Sequence, residues 1–175
     1  KFIVNKYNLH QLSTGDLLRK EIKNKTKLGS EISSIINSGE LVSDNIVSNL
    51  IEKFISNDIY KNKIIFDGYP RTLIQAKNLD DILKKYKQKI DIVLKLSVSL
   101  ETVKKRISER QTQEKRADDN EEIAIKRYDT YEKSSSPVIE YYKQSNLLKV
   151  INGEASISEI NSEISGIIEG IKGWL

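Results

Sequence analysis

Apolar positions along this chain recur with two different periods, and the switches between them mark its elements. Residues 64–66 are a short run, Ile64-Ile65-Phe66, that ends abruptly in Asp67-Gly68-Tyr69-Pro70-Arg71-Thr72. A continuous apolar run closed by turn residues predicts a buried inner strand of a parallel sheet leading straight into a loop. Residues 90–97 predict a second inner strand, 9–12 a brief one and 147–151 a last one, followed by an Asn152-Gly153 turn. Between these runs the pattern returns to the helical period. Residues 1–7 read as the tail of a helix with Phe2, Ile3 and Tyr7 on one side. Further helices are predicted over 13 to about 25, capped by Ser13 and Thr14, over 27–39, over 43–57 opening at Ser43-Asp44, over 72–86 and over 100–110. Residues 111–115 read as a loop. Asp118-Asp119-Asn120-Glu121-Glu122 then opens a helix, with Asp119 as N-cap and Glu122 closing a capping box. Pro137 is expected to kink or restart that helix before 138–143, and a closing helix runs from 156 to about 171.

Strands alternating with helices predict an α/β fold with a parallel sheet flanked by helices. At 175 residues the chain is long enough for one such domain, and no repeat, low-complexity stretch or linker divides it. Charged residues make up 31% of the chain and hydrophobic ones 38%, as in an ordinary globular protein. No apolar run is long enough to cross a bilayer and no leader is legible, so the cytoplasm is the expected location and no membrane partner is expected. With no cysteine, a disulfide framework and a cysteine-type zinc site are both excluded. The net charge of +4 and pI near 9.0 come from lysines spread among glutamates. Without a basic block or an aromatic-basic surface, no nucleic-acid partner is expected.

The arginines are more informative than the net charge. Of 29 basic residues only six are arginine: Arg19, Arg71, Arg106, Arg110, Arg116 and Arg127. A chain that uses lysine wherever a solvated charge suffices keeps arginine where its planar, multi-donor fork is needed for phosphate or carboxylate. Arg71 follows the central strand, and ligands of open α/β sheets bind outside the carboxyl ends of such strands. Asp67 would then stand where a metal-phosphate sits, and Arg71 where an anion is gripped. Arg106 and Arg110, four residues apart on one helix, share a face and repel unless an anion joins them. His10, the only histidine, has no partner motif and reads as structurally incidental.

Three motifs in this order, Ser13-Thr14-Gly15-Asp16-Leu17-Leu18-Arg19, Asp67-Gly68-Tyr69-Pro70-Arg71-Thr72 and Arg116-Ala117-Asp118-Asp119-Asn120, resemble the adenylate kinase family in its short-lid form. The resemblance covers essentially the whole chain and implies a P-loop nucleoside monophosphate kinase fold. It divides the single kinase domain into a helical insert over 13–42 that binds the nucleoside monophosphate and a short lid over 109–119. The implied reaction is reversible phosphoryl transfer from Mg-ATP to AMP, giving two ADP, by a cytoplasmic monomer. By resemblance the AMP site comprises Thr14, Arg19, Glu40, Leu41, Val42, Gly68, Tyr69, Pro70, Arg71, Gln75, Arg116 and Arg127, with Gln75 reading an adenine edge. Arg106 would stack on the donor's adenine, Arg110 would hold its phosphates, and Ala155 would lie beside the donor base. Arg71, Arg110, Arg116 and Arg127 are the expected catalytic cations, and Asp67 acts through magnesium-bound water. No zinc is expected, because the long metal-binding lid of some relatives is missing.

The family also has a first strand, central in the sheet, and a glycine-rich phosphate loop ending in Gly-Lys. Neither precedes Lys1, so a chain truncated at its N-terminus is expected, with little activity of its own and with two inner strands short of a ladder partner. Two other readings stand beside the adenylate kinase one: a pyrimidine monophosphate kinase of the same fold, against which Thr14 and Gln75 speak, and a nucleotide-binding module without catalysis.

Overall fold

The computed structural model describes residues 1–114 and 121–171. Its four strands run parallel. Strand β1 (His10–Ser13) pairs with β2 (Ile64–Asp67), setting His10 opposite Ile64 and Ser13 opposite Asp67. Strand β3 (Val93–Ser97) pairs with β4 (Leu148–Asn152), setting Val93 opposite Leu148 and Ser97 opposite Asn152. This register matters for function, because each pair ends together and delivers two loops side by side at its carboxyl end.

Among the described residues the two pairs are separate two-stranded sheets, so there β2 and β3 each have a ladder partner on one side only. The buried inner strands read from the sequence are therefore half-buried: Ile64, Ile65 and Phe66 all keep some exposure, and Leu96 on β3 is 45% exposed. A strand flanked on one side lacks the second neighbour that would seal its faces and pair its remaining N–H and C=O groups.

Helices α1 (Phe2–Tyr7), α2 (Thr14–Lys23), α3 (Lys27–Asn37), α4 (Asp44–Ile55), α5 (Leu73–Lys85), α6 (Leu100–Glu114), α7 (Glu121–Gln144) and α8 (Ile157–Glu169) surround these strands, with a 3-10 turn at Asp58–Tyr60. Their starts are set by local chemistry. The side chains of Ser13, Thr26 and Thr72 accept from the backbone N–H of Asp16, Gly29 and Gln75, and Ser156 with Glu159 forms a full capping box. The main core gathers Leu12, Ile32, Ile51, Ile55, Leu79 and Leu83 from β1, α3, α4 and α5. Ala76, Val138 and Tyr142 form a second cluster between α5 and α7, and Ile151, Ile164 and Ile168 a third under α8. Helix α5 contributes Leu79 to the first and Ala76 to the second, so the loop before it is held from both sides of the molecule.

Two helix boundaries differ from the sequence reading. Residues 111–114, expected as loop, continue α6: they contain neither glycine nor proline, and the Thr112 hydroxyl donates to Ser108 O at 3.1 Å along the helix. Helix α7 runs unbroken through Pro137. The hydroxyls of Ser135 and Ser136 donate to the carbonyls of Tyr131 and Glu132, while Val138 and Tyr142 beyond the proline are packed on Ala76. Packing thus outweighs the N–H lost at Pro137. Asp118, Asp119 and Asn120, expected to open α7, lie outside the described residues, as do Gly173, Trp174 and Leu175.

Candidate active site

The common end of β1 and β2 builds the centre of the site. Ser13 and Asp67 are ladder partners, so the next residues, Thr14 and Gly68, are neighbours, and Thr14 Oγ1 donates to Gly68 O at 3.2 Å. Gln11, on β1, donates through Nε2 to Asp67 Oδ2 at 2.7 Å and fixes the carboxylate. Gly68 has φ +69°, and a Cβ placed there would lie 2.9 Å from an Arg71 guanidinium nitrogen. Both the left-handed backbone and the neighbouring arginine therefore favour glycine. A cis Tyr69-Pro70 bond follows. Tyr69 is buried and donates to Gln75 O at 3.3 Å, and that burial pushes its phenol above the usual tyrosine range.

Arg71 is held twice by its own loop. Its Nε donates to Gly68 O at 2.7 Å, and its backbone N–H donates to Gln75 Oε1 at 2.8 Å. Although surface-exposed as a residue, its guanidinium lies low enough among its neighbours for desolvation to depress its pKa below the usual arginine value. The charge of Arg127 presses in the same direction, Asp67 opposes it and Arg19 adds to it. Three arginines from α2, the β2–α5 loop and α7 thus share one electrostatic neighbourhood with the Asp67 carboxylate. Such a cluster is built for an anion carrying more than one charge. Arg19 meanwhile forms an ion pair with Asp16 one turn before it.

The segment after α3 closes one side. A Cβ on Gly39 would lie 3.2 Å from Ile123 and 3.5 Å from the Arg127 side chain, and Lys126 Nζ meets Glu40 at 3.1 Å. Leu41 is half-buried and Val42 buried. Gln75, which without the family resemblance reads as a surface residue, is only 2% exposed. Its Nε2 donates to Asp44 Oδ1 at 2.8 Å, and the same carboxylate oxygen accepts from Thr72 Oγ1 at 3.1 Å.

The other sheet ends in a second constellation. Gly153 N donates to Ser97 O at 2.8 Å, and Arg106 Nη2 donates to Gly153 O at 2.6 Å, which brings Arg106 beside the loop that carries Ala155. Glu154 accepts from the Thr102 hydroxyl and from Ser99 N, and these bonds hold its carboxyl below the ordinary glutamate value. Arg110 is half-buried one turn after Arg106 on α6. Arg116 falls outside the described residues. His10 stands at the far end of β1 from this chemistry, edge-on to Tyr60 at 4.8 Å between centroids.

Gln11, Asp44 and Glu154 were not singled out from sequence. Asp44 is instructive, because Ser43-Asp44 reads as a helix start, yet the Ser43 side chain makes no capping bond and the Asp44 carboxylate turns to the next loop instead. Among the described residues no cluster of three or more His, Cys, Asp or Glu is arranged to hold a metal. The carboxylate of Asp67 suits a cation that keeps its waters and arrives on phosphates, as magnesium does.

Parallel strands whose carboxyl ends present a carboxylate, a glycine turn and a cluster of arginines define an α/β protein of the nucleoside monophosphate kinase class. Comparison with known proteins makes this specific. The family model described as "Adenylate kinase" matches residues 1–147. The chain is 40% identical to an adenylate kinase of Pelagibacter ubique, with 95% of this chain and 91% of the relative covered. It is 41% identical to one of Leptospira biflexa (93% and 87% covered) and 36% identical to one of Fusobacterium nucleatum (96% and 90% covered). The chain belongs to the adenylate kinase family.

Proposed function

We propose that this protein transfers the terminal phosphoryl group of Mg-ATP to AMP, reversibly, giving two ADP. The observation that carries the reading is the junction at the ends of β1 and β2, where Thr14 is bonded to Gly68 and Arg71 is bonded to Gly68 and Gln75 in one loop. In the forward direction an oxygen of the AMP phosphate bonds to the terminal phosphorus of ATP. The bond from that phosphorus to its bridging oxygen breaks, and ADP leaves with the electron pair. No proton needs to move, so catalysis lies in positioning and charge neutralisation.

Arg71, Arg116 and Arg127, with Arg19, would neutralise the acceptor phosphate and the transferring group, and Arg110 the donor side. Thr14, Gly68, Tyr69, Pro70 and Gln75 would line the acceptor pocket, with Glu40, Leu41 and Val42 along its edge. Arg106 and Ala155 would flank the donor base. Magnesium supplies charge neutralisation between the donor phosphates when bound, and Asp67, oriented by Gln11, would hold it through water. The insert over 13–42 and the lid over 109–119 would close to exclude water, which would otherwise accept the phosphoryl group. As part of this proposal the protein works as a monomer in the cytoplasm, on ATP, AMP and ADP, without nucleic acid, membrane or zinc.

The test is a coupled assay of ADP formation by the natural full-length protein with Mg-ATP and each nucleoside monophosphate in turn. ADP formation with AMP, well above that with UMP or CMP, is the expected result. Equal specificity constants for AMP and CMP would rule the reading out, since a polar pocket rejects a wrong base by leaving its own groups unpaired.

A further inference from the structure

The amide of Gln75 is held by two anchors of opposite polarity. Its oxygen accepts from the Arg71 backbone N–H at 2.8 Å, and its nitrogen donates to Asp44 Oδ1 at 2.8 Å. An amide offers two N–H donors and two acceptor lone pairs, so one of each remains after these bonds. Oxygen and nitrogen of an amide are nearly alike in shape, and what distinguishes one orientation from its flip is the partners. Here a backbone donor demands oxygen on one side and a carboxylate, which can only accept, demands nitrogen on the other.

We propose that Asp44 is a positioning residue of the acceptor site, fixing the Gln75 amide in the one orientation that accepts AMP and rejects GMP. The proposal rests on the reading of Gln75 as the residue that meets the acceptor base. Adenine presents an acceptor at N1 and a donor at its 6-amino group. Guanine presents the reverse, a donor at N1 and an acceptor at O6. A flipped amide would exchange these preferences, so an amide that cannot flip is a discriminator between two purines of nearly equal size. Asp44 is suited to the task by where it stands. It is the first residue of α4, half-buried, just past the segment that borders the acceptor insert, and its oxygen is braced by the Thr72 hydroxyl at 3.1 Å. One turn further along α4, Ser48 accepts from Asn78 Nδ2 at 3.2 Å, so the helix carrying the carboxylate is itself tied to the helix carrying Gln75. In Asp44→Asn the neutral side chain can turn its own amide either way and loses the demand for a donor, while its volume is unchanged.

The experiment compares steady-state transfer to AMP and to GMP by the full-length protein and its D44N and D44A variants, with the KM for ATP measured alongside. The ratio of kcat/KM for AMP over GMP is expected to fall roughly tenfold in both variants, the loss of one hydrogen bond to a charged partner, with the KM for ATP within about twofold of the parent. A D44N protein that melts at the parent temperature yet keeps the AMP-over-GMP ratio within twofold overturns the proposal, as does an equal rise in KM for both substrates, which a merely structural residue would give. Failure of the unsubstituted protein to use AMP at all would instead overturn the reading beneath it, and the parent control separates the two failures.

Discussion

The backbone N–H of Arg71 donates to the side-chain oxygen of Gln75 at 2.8 Å. One hydrogen bond thus ties the residue that would grip the acceptor's phosphate to the residue that would read its base, and the helix start at Thr72 lies between them. The Arg71 side chain also donates from Nε to Gly68 O, so in the proposed reaction its two terminal nitrogens would be the fork that binds phosphate.

Arg71→Lys keeps the charge and removes the fork. Losing a charge-assisted donor aimed at the transition state should lower the rate by about 2 to 4 kcal/mol, roughly 30-fold to 1,000-fold. The melting temperature should move little, because this side chain lies outside every apolar cluster. Lys77→Arg, exposed on α5, is the control and should leave turnover unchanged. Steady-state kinetics and a thermal melt of both variants decide it, and an Arg71→Lys enzyme within twofold of the parent would remove Arg71 from the chemistry.

Glu154→Ala should act on the donor alone. Its carboxylate joins the loop carrying Ala155 to the start of α6, the helix that carries Arg106. Freed from that joint, the loop should raise the KM for ATP severalfold and leave the KM for AMP as it was. Initial rates at varied ATP and at varied AMP separate the two.

Tyr141 should make stability sensitive to alkaline pH. Its hydroxyl donates to Asp80 at 2.6 Å, and that bond pushes its pKa up to about 12. A phenol whose folded pKa lies above its unfolded value of about 10 stabilises the fold fully below that lower value, and loses the contribution as pH rises toward 12. Buried Tyr142 shifts in the same direction, chiefly through burial, and Tyr69 likewise. Urea unfolding between pH 8 and 11 should show stability falling above about pH 10, and Tyr141→Phe should be less stable at pH 8 with a shallower decline.

Leu79→Ala tests the core that supports the site. Leu79 is fully buried among α4, α5 and β1 residues, and truncating such a leucine costs about 2 to 5 kcal/mol. The loss should appear in denaturant melts. The KM for AMP of the fraction that remains folded should stay near the parent value, since Gln75 and Arg71 are held by hydrogen bonds rather than by Leu79.

Local chemistry was legible in the sequence wherever a single turn of chain decides the outcome. Ser13, read as a cap, does cap α2, because a hydroxyl three residues before an N–H needs no distant partner. The Asp67–Arg71 loop was equally legible, since a strand end, a glycine and an arginine fall within five positions. Pairing between strands was not. Ile64-Ile65-Phe66 has the composition of a fully buried strand, and whether it gains a ladder on one side or two depends on chain far from it. Asp44 was hidden for the opposite reason: a plausible local role, opening α4 beside Ser43, accounted for the acid so well that its partner 31 positions away left no trace in the pattern. Gln75 was similar, an amide whose burial goes with a bond to Asp44 far away in the sequence.

Gly68 has a consequence for how this protein can change over generations. The space where its side chain would begin is taken by the guanidinium of Arg71. Every amino acid that one base change can make from a glycine codon carries a Cβ, so no single mutational step away from Gly68 leaves the arginine where it stands. Nor does losing the arginine first open the way, because the left-handed backbone at this residue still resists a side chain. A side chain at position 68 would thus be strained by its own backbone and would displace the guanidinium of Arg71, so a change at one position reaches the other, whereas the exposed lysines of the surrounding helices carry no such link.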